Sequence, residues 1–198
     1  MLLQVITASV RDERKGPAVA EWFLTHARGH GGFEVQALDL AAVDLPLFDE
    51  PHHPRFGRYE HEHTKAWSRT VDSADAFVFV TPEYDYSPPA SLTNALQYLV
   101  HEWAYKPVAF VSYGGVSGGT RGVQMTKLTL SALRTVPIVE AVAIPFFAQH
   151  IDEETGVFDP GDGQAKAAKA MLDELLKWTV ALAPMRGARA QQKLENAK

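Results

Sequence analysis

Three stretches of the chain concentrate groups suited to holding a small molecule. The first, TASVRDERKGP (7–17), sets the hydroxyls of Thr7 and Ser9 beside the guanidinium groups of Arg11 and Arg14. Such donors match phosphate oxygens. A helix starting just beyond would add free N–H groups and the positive end of its dipole. The stretch has neither the Gly-Lys-Ser/Thr of a Walker A loop nor a Gly-x-Gly-x-x-Gly run, and by composition alone it also reads as a solvated charged loop. The second, TPEYDYSPPAS (81–91), is stiffened by Pro82, Pro88 and Pro89 and carries Tyr84 and Tyr86. Its backbone donors at 83–87 need partners, which suits the edge of a planar, polar ring system. The plainer reading is a rigid turn capped by Ser91. The third, SYGGVSGGTRG (112–122), has glycines at 114, 115, 118, 119 and 122. Glycine at that density lets backbone approach a ligand closely.

Two rival chemistries share these residues. GVSGG (115–119) matches the Gly-x-Ser-x-Gly elbow of serine hydrolases, with Ser117 as nucleophile and Glu140 and His150 as nominal partners downstream. No HGGG-type oxyanion loop accompanies it. HHPRFGRYEHEH (52–63) holds His52, His53, His61 and His63, but no cysteine and no i, i+4 histidine pair. That spacing is poor for a metal, and no metal site is expected. The segment is read as shaping a pocket or a subunit contact.

Short apolar runs alternating with helical patterns must bring the three stretches together. Strands are expected at 2–8, 33–40, 76–81, 106–114 and 138–147, and helices at 17–28, 64–75, 91–103, 120–136 and 163–182. Five strands, each followed by a helix, imply a parallel sheet covered on both faces. The predicted fold is a flavodoxin-like three-layer α/β sandwich with strand order 2-1-3-4-5. Ligands of such sheets sit at the carboxyl ends of the strands, where the three stretches follow strands 1, 3 and 4.

With 198 residues, 46% of them hydrophobic, the chain suits one domain, expected over 1–183 with a mobile or subunit-contacting tail at 184–198. A net charge of −5 lacks the basic footprint of a nucleic-acid binder, and the absence of cysteine excludes disulfide and thiol chemistry. Neither a signal peptide nor a membrane span is legible, so a cytoplasmic protein is expected.

Taken together, the motifs resemble the NADPH-dependent FMN reductase family, a flavodoxin-like group that includes quinone and azo-dye reductases. TPEYDYSPPASLTNAL (81–96) is similar to its Thr-Pro-Glu-Tyr-Asn signature and the helix start that follows. ASVR (8–11) resembles its Gly-Ser-x-Arg loop, SYGGVSGG (112–119) its flavin loop, and LPLFDE (45–50) its run after strand 2. The resemblance implies bound FMN, with phosphate near Ser9, Arg11 and Arg14. The ring would lie between Pro82, Glu83, Tyr84 and Asp85 on one side and Ser112, Tyr113, Gly114 and Gly115 on the other. It further implies hydride from NADPH or NADH passing to a quinone, free flavin or similar small acceptor, in a homodimer or homotetramer. No protein acid, base or nucleophile is implied, because the chemistry belongs to the cofactor. Arg121 is read as a surface arginine, or as a contact to the nucleotide donor's phosphates. An FMN-binding electron-transfer or regulatory protein with little turnover is the alternative. Ala8, Asp85, Thr93 and Gln97 depart from the family's Gly, Asn, Lys and Asp. A carboxylate at Asp85 beside the ring would oppose negative charge on it, lowering its potential or weakening its retention.

Overall fold

The computed structural model describes residues 1–196, the side chains of 188–196 excepted. Four parallel strands form the body of the sheet: β1 (Leu2–Thr7), β2 (Glu34–Asp39), β3 (Ala76–Pro82) and β4 (Pro107–Tyr113). The sheet order is β2-β1-β3-β4-β5, with β5 (Val136–Pro137) at the far edge, as expected from the sequence. Every residue of β3 and β4 is buried, whereas β2 at the edge has no buried residue. This is why β3 and β4 read as unbroken apolar runs and β2 as an alternating one.

The two-residue period of a strand sorts side chains onto opposite faces. In β3, Ala76, Val78 and Val80 pack toward helices α1 (Gly16–His30) and α6 (Asp162–Asn196). Phe77 and Phe79 face the other way, toward Trp67 of α3 (Glu62–Ser73), Leu92 and Leu96 of α4 (Ala90–Gln97) and Leu130 of α5 (Thr120–Ala132). A four-residue helix, α2 (Leu40–Val43), follows β2. Its first N–H groups are met by Asp39, which accepts from Ala41 N at 3.0 Å.

The fifth strand departs from expectation. In place of one strand over 138–147 there are two short ones, β5 (Val136–Pro137) and β6 (Val142–Ile144), both paired with β4. Between the paired stretches β4 advances from Val108 to Val111 while its neighbour advances from Pro137 to Val142. The surplus residues bulge out. Pro137 cannot donate to a ladder, which confines it to an edge position such as this. Helices also shift: α4 ends at Gln97 and α5 at Ala132, short of the expected 103 and 136. Turns follow α4, and Tyr98, Leu99 and Trp103 within them are all fully buried.

Helix α6 runs on through Pro184 to Asn196, so the expected boundary at 183/184 falls inside it. Arg186 ties that stretch to the body, donating to Asp75 Oδ1 at 3.1 Å and to the Thr179 carbonyl at 3.3 Å. Residues 197–198 of the expected tail lie outside the described residues. Among the described residues no helix is long and apolar enough to cross a membrane.

Phe79 is fully buried, with ring centroids 5.8 Å from Phe110 and 6.2 Å from Trp103. Phe79→Ala should cost about 3–5 kcal/mol of stability, read as a lower urea midpoint at an unchanged slope.

Candidate functional site

The loop after β1 is tied down from three sides. Ala8 N donates to Val80 O at 2.9 Å, and Ser91 Oγ on α4 donates to Ala8 O at 2.5 Å. Ser91 therefore clamps the neighbouring loop; it does not cap its own helix. Arg14 donates to the Ser9 carbonyl at 2.7 Å and to both carboxylate oxygens of Asp39 at 2.7 and 2.6 Å. That bond to Asp39 raises the Arg14 pKa further. Burial would push the Asp39 carboxyl up, but Arg14 and the Ala41 N–H outweigh it and hold it below its ordinary value. Arg14, expected as a phosphate ligand, is thus already engaged as the brace between β2 and this loop.

What the loop leaves open is donor capacity. Ser9 is buried; its Oγ makes no well-formed hydrogen bond, its near neighbour being the Tyr113 hydroxyl. The N–H groups of Val10, Arg11, Asp12 and Glu13 find no backbone acceptor among the described residues. Helix α1 begins directly beyond, at Gly16. A Cβ at Gly16 would lie 2.1 Å from Ser9 Oγ and 2.7 Å from the Tyr113 hydroxyl, so glycine is required for the hydroxyls to converge there. Burial pushes the Tyr113 hydroxyl up to about 12, keeping it neutral and able to donate.

The second and third loops are joined by one carboxylate. Glu83 is almost fully buried, its side chain 5% exposed. Its Oε1 accepts from Arg121 Nε at 2.6 Å and Nη2 at 2.5 Å. Its Oε2 accepts from Arg121 N at 3.0 Å, Gly122 N at 3.3 Å and Ser117 Oγ at 3.0 Å. The N-cap of α5 is Gly119, at φ +83°, with no side chain to offer. Glu83 supplies the missing cap from another loop, with its charge at the positive end of α5. Burial would raise the Glu83 carboxyl, but Arg121, Gly122 N–H and Ser117 together hold it below the ordinary range. Gly119 itself cannot be replaced cheaply, because a Cβ would meet Tyr113 N at 2.8 Å.

The tip of the second loop is a tight hairpin turn. Tyr84 N donates to Ser87 O at 2.9 Å and Ser87 N to Tyr84 O at 2.8 Å. Asp85 and Tyr86 between them have φ of +49° and +67°, the signature of a type I′ turn. Asn fits such a position best and Asp nearly as well, so the departure at 85 keeps the backbone geometry.

All three loops meet in a cleft of about 160 Å³ lined by Arg11, Arg14, Lys15, Pro82, Glu83, Tyr84, Tyr113, Gly114, Gly115 and Phe147. Eight residues singled out from the sequence are therefore brought together. The other three fall outside the lining. Ser112 donates its hydroxyl to Gly118 O at 2.8 Å behind the cleft. Ser9 lies beneath the loop, and Asp85 is exposed at the turn's tip. The sequence reading missed Lys15 and Phe147. Phe147 was assigned to the fifth strand, yet its N–H donates to Gly114 O at 3.2 Å and its ring packs 5.0 Å from Tyr113.

Neither rival chemistry gains support. Ser117 gives its hydroxyl to Glu83 and accepts from Gly119 N at 3.3 Å, while His150 packs against Phe158. Around the 52–63 loop, His63 pairs with Asp49 at 3.0 Å, His52 with Glu60 at 3.2 Å, and His53 accepts from Arg55 N at 3.1 Å.

The Glu83 bonds yield a signed pH dependence. Since its folded pKa is lowered, its stabilisation is present above the ordinary glutamate pKa and is lost as pH falls through the depressed value. Glu83→Gln should be about 1–3 kcal/mol less stable than wild type near neutral pH. The lower end is expected because Arg121 is 44% exposed. Urea denaturation in acid should show that gap shrinking.

Residues 1–149 match the NADPH-dependent FMN reductase family. The chain is 40% identical over 144 residues to an NAD(P)H-dependent FMN reductase of Schizosaccharomyces pombe, covering 71% of this chain and 72% of that one. A second NAD(P)H-dependent FMN reductase, from Saccharomyces cerevisiae, is 32% identical over 73% of this chain and 82% of its own. The flavoenzyme NAD(P)H:(acceptor) oxidoreductase of Paracoccus denitrificans superposes with a TM-score of 0.68 at 22% identity, covering 91% of this chain and 97% of that one. With the three-loop cleft at the carboxyl edge of a 2-1-3-4-5 sheet, these matches make the chain a member of the NADPH-dependent FMN reductase family.

Proposed function

We propose that this FMN-dependent oxidoreductase seats the FMN phosphate in the 9–16 loop and the ring between Pro82–Tyr84 and Tyr113–Gly115. The observation that carries this is the buried Ser9 Oγ, which makes no well-formed hydrogen bond and lies beside the cleft-lining Tyr113 hydroxyl. A buried hydroxyl without a partner costs free energy that a phosphate oxygen would recover. Arg11 and Lys15, exposed at the cleft, supply positive charge, and Arg14 holds the Ser9 carbonyl so that the hydroxyl stays aimed. When bound, FMN supplies the transfer of two electrons from NADPH or NADH to a small acceptor such as a quinone or free flavin.

The chain's own residues orient and shield. Pro82 and the Gly114–Gly115 backbone form narrow walls, and a Cβ at Gly115 would meet nothing within 4 Å, which leaves space for a ligand's edge. Phe147 and Tyr113 exclude water from the inner end. Tyr84, 37% exposed, offers an aromatic face at the mouth to donor and acceptor in turn. Homodimer or homotetramer assembly in the cytoplasm completes the proposal. Met125 and Leu128, exposed on one side of α5, and Val116, exposed in the loop before it, supply apolar surface for such a contact.

The purified protein should be yellow, lose its flavin absorbance on adding NADPH and regain it on adding a quinone. A protein that stays colourless after incubation with FMN would overturn the proposal, and a yellow one inert to both NADPH and NADH would instead mark an electron carrier. Ser9→Ala should weaken FMN binding roughly ten-fold, measured by flavin fluorescence titration, with little change in fold stability.

A further inference from the structure

Arg121 lies outside the cleft lining, yet it contacts two elements of the cleft wall. Its Nε and Nη2 hold Glu83, and the face of its guanidinium lies 3.9 Å from the centre of the Tyr86 ring. Glu83 lines the cleft, and Tyr86 belongs to the turn that carries Tyr84 into it. A Cβ at the next residue, Gly122, would lie 3.1 Å from Ser87 O, so the start of α5 and the turn are in close register. With two of its nitrogens and its planar face engaged, Arg121 is committed to this wall and not to a nucleotide phosphate.

We infer that Arg121 is a positioning residue for the flavin reaction, acting through Glu83 and Tyr86. It fixes the 83–87 wall and neutralises the Glu83 carboxylate buried within that wall. Two separable effects follow, because the fork and the stack are geometric while the neutralisation needs only a positive charge. Without Arg121, Ser117 Oγ and the two α5 N–H groups still hold the Glu83 carboxylate in place. The wall then carries an uncompensated negative charge, whose field disfavours electron density on the ring. The inference rests on the flavin reading above.

The test measures FMN affinity by fluorescence titration and midpoint potential by spectroelectrochemistry, on FMN-loaded full-length protein. Arg121→Ala should weaken FMN binding by roughly ten-fold and shift the potential to more negative values. Arg121→Lys should keep the wild-type potential while its affinity stays reduced, a split that a general loss of structure does not produce. Tyr86→Leu, at an exposed position, should cost about two- to five-fold in affinity with the potential unchanged. If Arg121→Ala does not fold, the lysine and leucine variants carry the test. Wild-type affinity and potential in Arg121→Ala would overturn the inference, as would Arg121→Lys if its potential drops below wild type. Failure of the wild type to bind FMN is seen without any variant and removes the flavin reading itself.

Discussion

The geometry of the cleft depends on a single buried carboxylate. Glu83 leaves the end of β3 and is taken out of water against the start of α5, where five bonds from Ser117, Arg121 and Gly122 converge on it. A buried anion is tolerable only when paired and fully hydrogen-bonded. Hence the second loop cannot move without carrying the third, and the glycine loop, which has little side-chain packing of its own, borrows its rigidity from Glu83. Glycine at 119 permits the approach, and the cap that a glycine cannot provide arrives from 36 residues upstream.

The same logic couples the first loop. Parallel strands deliver every loop to one edge, but the sheet alone leaves the loops to move independently. Arg14 bridges the β1 loop to Asp39 at the end of β2, and Ser91 bridges it to the start of α4. The Tyr113 ring spans from the Ser9 and Gly16 end of the cleft to Phe147. What these contacts leave unsatisfied is informative: a buried hydroxyl and backbone donors, all at the place where an anion fits.

Much of this was legible in the sequence because it follows from local pattern. The apolar runs of β1, β3 and β4 and the glycine density of the third loop are near-neighbour signals. So was the placement of the loops, since parallel topology dictates it. Less legible was anything set by distant partners. Glu83 reads as one more residue of a motif until Arg121, 38 positions on, takes its charge. Arg14 reads as a phosphate ligand until Asp39 is seen to hold it. Asp85 looked like a charge beside the ring, yet its φ of +49° marks it as a turn residue and it lies outside the cleft lining. The split fifth strand hid Phe147, because an apolar run carries no mark of where pairing stops and a bulge begins. The length of α6 was obscured by Pro184, which a helix anchored by Arg186 accommodates.

Everything proposed for the flavin depends on the 9–16 loop being a phosphate site. Parallel titrations of the apoprotein with FMN and with riboflavin, which lacks the phosphate, test it most directly. FMN is predicted to bind roughly a hundred-fold more tightly, as two charge-assisted bonds to a phosphate would give. The margin should narrow as salt rises and screens Arg11 and Lys15. Equal affinity for the two flavins at low salt would contradict the account, because Ser9 and its neighbours would then have no phosphate to hold.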